Sequence, residues 1–291
     1  MTGIAAGEPG AVRRAVRCAD VRAGAAGVAS GIDELYDDRV DVIIVRGAMP
    51  EAPLAAAAAK LDGGESGLDW SRPNKVAPPD DIHILGTDTP ATPTYSAPTG
   101  ASLEAYLAGA AKHRAQTANV FPAGFDPIAE IERALAQTAG GRPVEPARAR
   151  DGRTFTPFTL RRLGDGKQIG FHHDYHYPLA MYKDLAPLVD TTTLVSWVFT
   201  LQRAGAGGEL MVYGLTPEDP DIPKGPSGWP DVKGVEQMFN HESYAMNAGD
   251  MFLLASGRCY HRITPISGDA RVTMGGFLAF DKARQRVFYW S

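Results

Sequence analysis

The 291-residue sequence predicts an α+β protein, mainly β, in which helices come first and a two-sheet antiparallel sandwich follows. Three observations carry that reading. Residues 102–118 and 126–141 bear helix start and stop signals. After about residue 150 the chain breaks into short β-branched and aromatic runs parted by turn formers. Helices followed by strands, rather than alternating with them, argue for helices packed on an antiparallel sheet. Composition agrees: 44% hydrophobic and 22% charged residues are those of an ordinary globular chain, long enough to bury a core.

Taken in order, residues 1–10 hold three Gly and a Pro and are expected to fray. "VDVIIVRGA" (40–48) is a β-branched run closed by Gly, a buried strand. "PEAPLAAAAAKLD" (50–62) is Ala-rich and helical. "DIHILG" (81–86) reads as a short strand, and the proline-rich stretch 87–100, with Pro90, Pro93 and Pro98, as a loop. Helix 102–118 opens on a Ser cap with Glu104 in its first turn. Helix 126–141 has Asp126 as cap, Pro127 at its first position and Gly at its end. Strands are then expected at 153–164, 168–177, 192–202, 208–215, 250–255, 259–266, 271–280 and 285–291. A hairpin turn is expected at 202–209, and a long loop at 216–240. The whole of 1–291 reads as one domain, helix-rich over 11–150 and strand-rich over 151–291, with no internal repeat.

Several function classes drop out. A net charge of −5 without a basic face gives no footprint for nucleic acid. No apolar run approaches the roughly 18 residues that cross a bilayer, and the first residues lack the pattern of a secretory signal. The expectation is a cytoplasmic monomer or homodimer acting on a small-molecule substrate. Cys18 and Cys259 give neither a disulfide framework nor a zinc pattern, and Cys259 is expected to be an apolar filler.

Chemistry concentrates in "GFHHDYHYP" (170–178), which spends three of the seven histidines. Alternate residues of a strand share a face, so His172 and Asp174 point one way and His173 the other. Two imidazoles and one carboxylate on one side of an iron ion leave three coordination positions open. The second imidazole must come from afar, and "GRCYHRI" offers His261. Ten positions later Arg271 opens another strand, where a guanidinium takes a carboxylate in bidentate fashion. This ordered set fits an eight-stranded, double-sheet jelly roll. His176 shares the face of His172 and is an alternative ligand to Asp174; with Pro178 closing the strand it reads better as a residue at the pocket mouth.

His172-x-Asp174…His261…Arg271 resembles the Fe(II)/2-oxoglutarate-dependent oxygenases, whose fold is a cupin-like double-stranded β-helix. "DVIIVRGAMP" (41–50), "TFTPFTLRRL" (154–163), "GGELMVYGL" (207–215), "GDMFLLASGRCYHRI" (249–263) and "GGFLAFDKARQRVFYWS" (275–291) are more specific. They resemble the carrier-independent halogenases that act on hapalindole-type and welwitindolinone-type alkaloids. Those halogenases carry Gly where this chain has Asp174, which leaves room for chloride. The resemblance with Asp174 in place therefore implies a hydroxylase. It implies Fe(II) held by His172, Asp174 and His261, with O2 and 2-oxoglutarate consumed and succinate and CO2 released. It also implies 2-oxoglutarate held by Arg271, with Thr273 and Arg161 as further contacts. The substrate would be a free molecule of natural-product biosynthesis oxidised at an unactivated C–H bond.

Desaturation or ring closure by the same iron chemistry, a cupin-like enzyme that needs no 2-oxoglutarate, and a non-catalytic metal- or sugar-binding sandwich are the alternatives. Tyr175 and Trp197, with Tyr177 and Phe199, are candidate walls of a substrate pocket, or simply core. "GAGGEL" lacks the Lys-Ser/Thr and helix of a phosphate loop. The loops at 87–100 and 216–240 are candidate lids.

Overall fold

A computed structural model describes residues 14–25, 30–62, 83–85, 103–174, 177–178, 182–226, 228 and 230–291. The expected fraying of 1–10, the loop at 87–100, and the candidates Tyr175 and His176 lie outside these residues. In chain order the elements begin with β1 (Cys18–Arg22), α1 (Gly31–Tyr36), β2 (Val42–Arg46), α2 (Glu51–Asp62) and β3 (His83–Leu85). Next come α3 (Leu103–Thr117), α4 (Pro127–Ala136), β4 (Val144–Pro146), β5 (Thr159–Leu163), β6 (Ile169–His172) and β7 (Val195–Gln202). The chain continues through β8 (Ala206–Gly207), β9 (Leu210–Tyr213), α5 (Val232–Met238), β10 (His241–Tyr244) and β11 (Met251–Leu254). It ends with β12 (His261–Ile263), β13 (Ile266–Ser267), β14 (Arg271–Phe280) and β15 (Val287–Trp290).

Eight strands form the core. β5, β14, β7 and β11 lie side by side in the larger sheet, and β6, β12, β9 and β10 in the smaller, every neighbouring pair antiparallel. The chain passes back and forth between the sheets, which is the winding of a double-stranded β-helix. β14 is long enough to pair with β7 along one edge and with β5 and then β15 along the other. β2 and β1 extend the larger sheet beyond β11, while β4, joined to β15, extends it on the other side.

The local reasons are visible. α4 starts where expected, because the Asp126 side chain accepts the amides of Ile128 and Ala129 and Pro127 fits the first turn. Ile131, Ala134 and Leu135 form its buried stripe. α2 packs on β7, so β7 is covered on both faces and reads as a nearly unbroken apolar run. The core is dense with aromatics, Trp197, Trp290, Tyr106, Phe155 and Phe199 all being fully buried. Removing one of these rings would cost about 3–5 kcal/mol.

Three expectations need correction. Residues 202–209 are not a hairpin turn: β7 and β9 lie in different sheets, and the segment crosses between them, pairing β8 with β13. Gly207 and Gly208 take positive φ in either case, so composition does not separate a hairpin from a crossing. The strand expected at 168–177 stops at His172, because the Asp174 amide donates to Ser256 O (2.8 Å) instead of continuing a ladder. Within 216–240 lies α5, whose Val235 joins Tyr213, Leu215 and Phe239 in a small buried cluster. No helix among the described residues is long and apolar enough to cross a membrane.

Candidate metal and co-substrate site

His172 closes β6 and His261 opens β12, and the two residues face each other directly across the ladder. Their ring centres lie 4.2 Å apart. His172 Nδ1 is 2.7 Å from Gly170 O, and His261 Nδ1 is 3.1 Å from Cys259 O. A carbonyl only accepts, so each Nδ1 carries the proton and each Nε2 keeps a free lone pair. Backbone carbonyls thus set both tautomers, as the carbonyls that accept from the distal N–H of metal-bound histidines do.

Asp174 arrives from the loop just past β6. The absence of a side chain at Gly257 permits its approach: a Cβ there would lie 2.6 Å from Leu194 N and 3.1 Å from Asp174 O. The Asp174 carboxylate stands 3.8 Å from His172 Nε2 and 3.8 Å from His261 Nε2. One ligand atom from each of the three lies within 4.8 Å of the others. Two donors about 2.0–2.2 Å from one first-row ion lie at most about 4.4 Å apart, and both 3.8 Å separations from Asp174 fall within that limit. Asp174 and His261 are buried and His172 is partly exposed. Burial, and then the neighbouring His172, push the His261 pKa down to about 3, so its lone pair is free at neutral pH.

Arg271 begins β14 and is only 4% exposed. Burial first, and then the like charge of Arg161, lower its pKa to about 10. Among the described residues its Nη2 has no hydrogen-bond partner. Arg161 of β5 lies directly across the sheet from Thr273. Burial lowers its pKa, and Asp174 opposes that effect. All six residues line one cavity between the sheets, about 630 Å³ including its mouth.

The structure thus brings together His172, Asp174, His261, Arg271, Thr273 and Arg161 around one cavity. It removes Trp197 from the proposed substrate wall. That indole is fully buried, donates Nε1–H to Phe277 O (3.0 Å), and packs against Phe199 and Tyr289. Strand alternation turns its neighbours Ser196 and Val198 to the cavity instead. The signal was present in β7, but with both faces apolar nothing in the sequence says which set points inward. Phe252 is a further wall residue the sequence did not single out.

A double-stranded β-helix with two imidazoles and a carboxylate converging near a buried arginine defines the Fe(II)/2-oxoglutarate-dependent oxygenase class. Residues 21–291 match the family model described as carrier-protein-independent halogenase WelO5, and the chain belongs to that family. A comparison with curated protein sequences found no significant match. Among solved structures, the chain is similar to an N-substituted L-amino acid dioxygenase from Burkholderia ambifaria AMMD. The TM-score is 0.51 at 14% identity, covering 90% of this chain and 91% of that one. The same-named enzyme from that organism in complex with α-ketoglutarate gives 0.50 at 13% identity, covering 90% and 91%. At such identities the likeness bears on the fold.

Proposed function

We propose that the chain is an iron- and 2-oxoglutarate-dependent hydroxylase of a free small molecule, within a family named for halogenation. One observation carries this. A buried guanidinium nitrogen without a partner among the described residues shares a cavity with a two-histidine, one-carboxylate donor set. A buried polar atom left unpaired is destabilising, and a ligand carboxylate would satisfy it. The donor chemistry, two neutral imidazoles and one carboxylate with open positions, suits non-haem Fe(II).

In this reading His172, Asp174 and His261 hold Fe(II), and Arg271 with Thr273 takes the far carboxylate of 2-oxoglutarate. The bound iron supplies oxidation of an unactivated C–H bond by O2, with loss of CO2 from 2-oxoglutarate and formation of succinate. The protein's own part is orientation and shielding. Backbone carbonyls fix both imidazoles, the Asp174 amide ties the metal loop to Ser256, and the apolar walls Val198 and Phe252 exclude water. Asp174 also separates hydroxylation from halogenation. Its carboxylate stands at equal distance from both imidazoles, where a halide would have to bind, and two anions cannot share that place.

The test uses oxygen-free protein with Fe(II) and 2-oxoglutarate. A visible charge-transfer band is expected, then succinate on admitting O2, and products heavier by one oxygen with candidate substrates. No band, or a chlorinated product from the unaltered protein, would overturn the reading.

A further inference from the structure

Arg161 carries a charge that this chemistry leaves unbalanced. It lines the same cavity, two residues along β5 from Leu163, the residue opposite Arg271. Among the described residues no side chain or carbonyl is hydrogen-bonded or ion-paired to its guanidinium, and the one opposite charge acting on it is Asp174. Asp174 is a metal donor in the reading above, on which this inference rests. With iron present that carboxylate is no longer available to offset Arg161.

The charges can be counted. As iron ligands both histidines would be neutral, while Asp174 would carry −1 and Arg271 +1. With a ferrous ion and a doubly charged 2-oxoglutarate added, the sum is zero. Arg161 then leaves one net positive charge between two sheets, and buried charges in proteins are almost always paired. Arg271 and Thr273 already serve the far carboxylate of the co-substrate, and the metal neutralises its keto-acid end. The one component still unaccounted for is the substrate. We propose that Arg161 anchors an oxyanion of the substrate, a carboxylate or a phosphate monoester, so that the enzyme acts on small acids rather than on neutral molecules. A planar guanidinium takes either group through two parallel N–H bonds, which fixes orientation as well as position. Anchoring one end of a small acid in the cavity is what presents a chosen C–H bond to the metal.

The experiment compares the unaltered protein with Arg161→Gln and Arg161→Lys, loaded with Fe(II) and 2-oxoglutarate without oxygen. The probes are N-acyl amino acids beside their carboxamides, and nucleoside 5′-monophosphates beside the nucleosides. Binding is read as a shift in thermal unfolding, and co-substrate affinity as the visible band. The unaltered protein is expected to bind acids and not their uncharged counterparts. Arg161→Gln is expected to lose about 10- to 100-fold in acid affinity, the worth of one charged hydrogen-bonded contact, with part restored by Arg161→Lys. The affinity of both variants for 2-oxoglutarate is expected to stay within about threefold, a change worth less than one neutral hydrogen bond. The inference is overturned if Arg161→Gln loses 2-oxoglutarate as strongly as an Arg271 variant does. It is equally overturned if uncharged probes bind as well as acids, or if no acid binds. These failures differ from that of the oxygenase reading, in which the unaltered protein shows no 2-oxoglutarate band at all.

Discussion

Replacing Arg271 with methionine should stabilise the ligand-free protein and nearly abolish its hold on 2-oxoglutarate. The two effects have one origin. Arg271 is 4% exposed, its Nη2 has no partner among the described residues, and Arg161 repels it. An unpaired buried polar group costs about 1–3 kcal/mol, and methionine fills similar space without it. With some lost packing deducted, the variant should gain about 1–2 kcal/mol, or roughly 2–6 °C in Tm. In the loaded protein the sign reverses. The far carboxylate of 2-oxoglutarate would lie buried against no cation, a loss of about 3–5 kcal/mol, which is roughly 200- to 4,000-fold in Kd. Thermal unfolding of the ligand-free protein and anaerobic titration of the visible band measure the two sides. A variant that unfolds earlier than the parent, yet binds 2-oxoglutarate within tenfold of it, would refute the assignment of Arg271.

Asp174→Gly should make the visible band of the iron and 2-oxoglutarate form respond to chloride; a band indifferent to chloride would show that Asp174 is not what keeps halide out. Gly208 has φ +74°, and a Cβ there would lie 3.1 Å from Arg271 Cδ. Gly208→Ala should therefore cost about 1–2 kcal/mol of stability and weaken 2-oxoglutarate several-fold, both read by the same two assays. His113 is fully buried with neither ring nitrogen partnered among the described residues, and burial drives its pKa down to about 4. An unfolded histidine titrates near 6.5, so between about pH 6.5 and 4 the unfolded chain binds a proton that the folded one refuses. Stability must then fall as pH falls through that window, by up to about 1.4 kcal/mol per pH unit from this one group. His113→Leu should lose less stability on acidification than the parent in denaturant titrations at pH 7, 6 and 5.

The cluster of His172, Asp174 and His261 was legible because its spacing is an ordered pattern, and the core strands because β-branched runs alternate with turn formers. Elements the sequence did not show are short or marginal. β10 is an edge strand of four residues with little burial, and β4 has three. Neither is long enough to display a period of two. β1 alternates, but its exposed positions carry Cys18, Asp20 and Arg22, and its partner β2 lies some 20 residues away in a parallel pairing that no local signal announces. Trp197 failed for a different reason. Periodicity tells which residues share a face and not which face is inward; in a strand covered on both sides that choice is made by tertiary packing, here by α2 and Tyr289.

The division of labour between the sheets explains why those side chains are held at a cost. Both histidines belong to the smaller sheet, where direct cross-strand pairing sets their separation. Arg161, Arg271 and Thr273 belong to the larger sheet, where β5 and β14 run in register. Neither sheet alone holds both the donors and the guanidinium groups. The ligand-free cavity keeps two cations, Arg271 buried and Arg161 partly exposed, near a single carboxylate. In the function proposed above, the repulsion between those cations would be offset by one event, the entry of a dication beside Asp174 and of anions beside the arginines. Filling the cavity between the sheets would then be a source of stability for the fold, and not only a requirement of its chemistry.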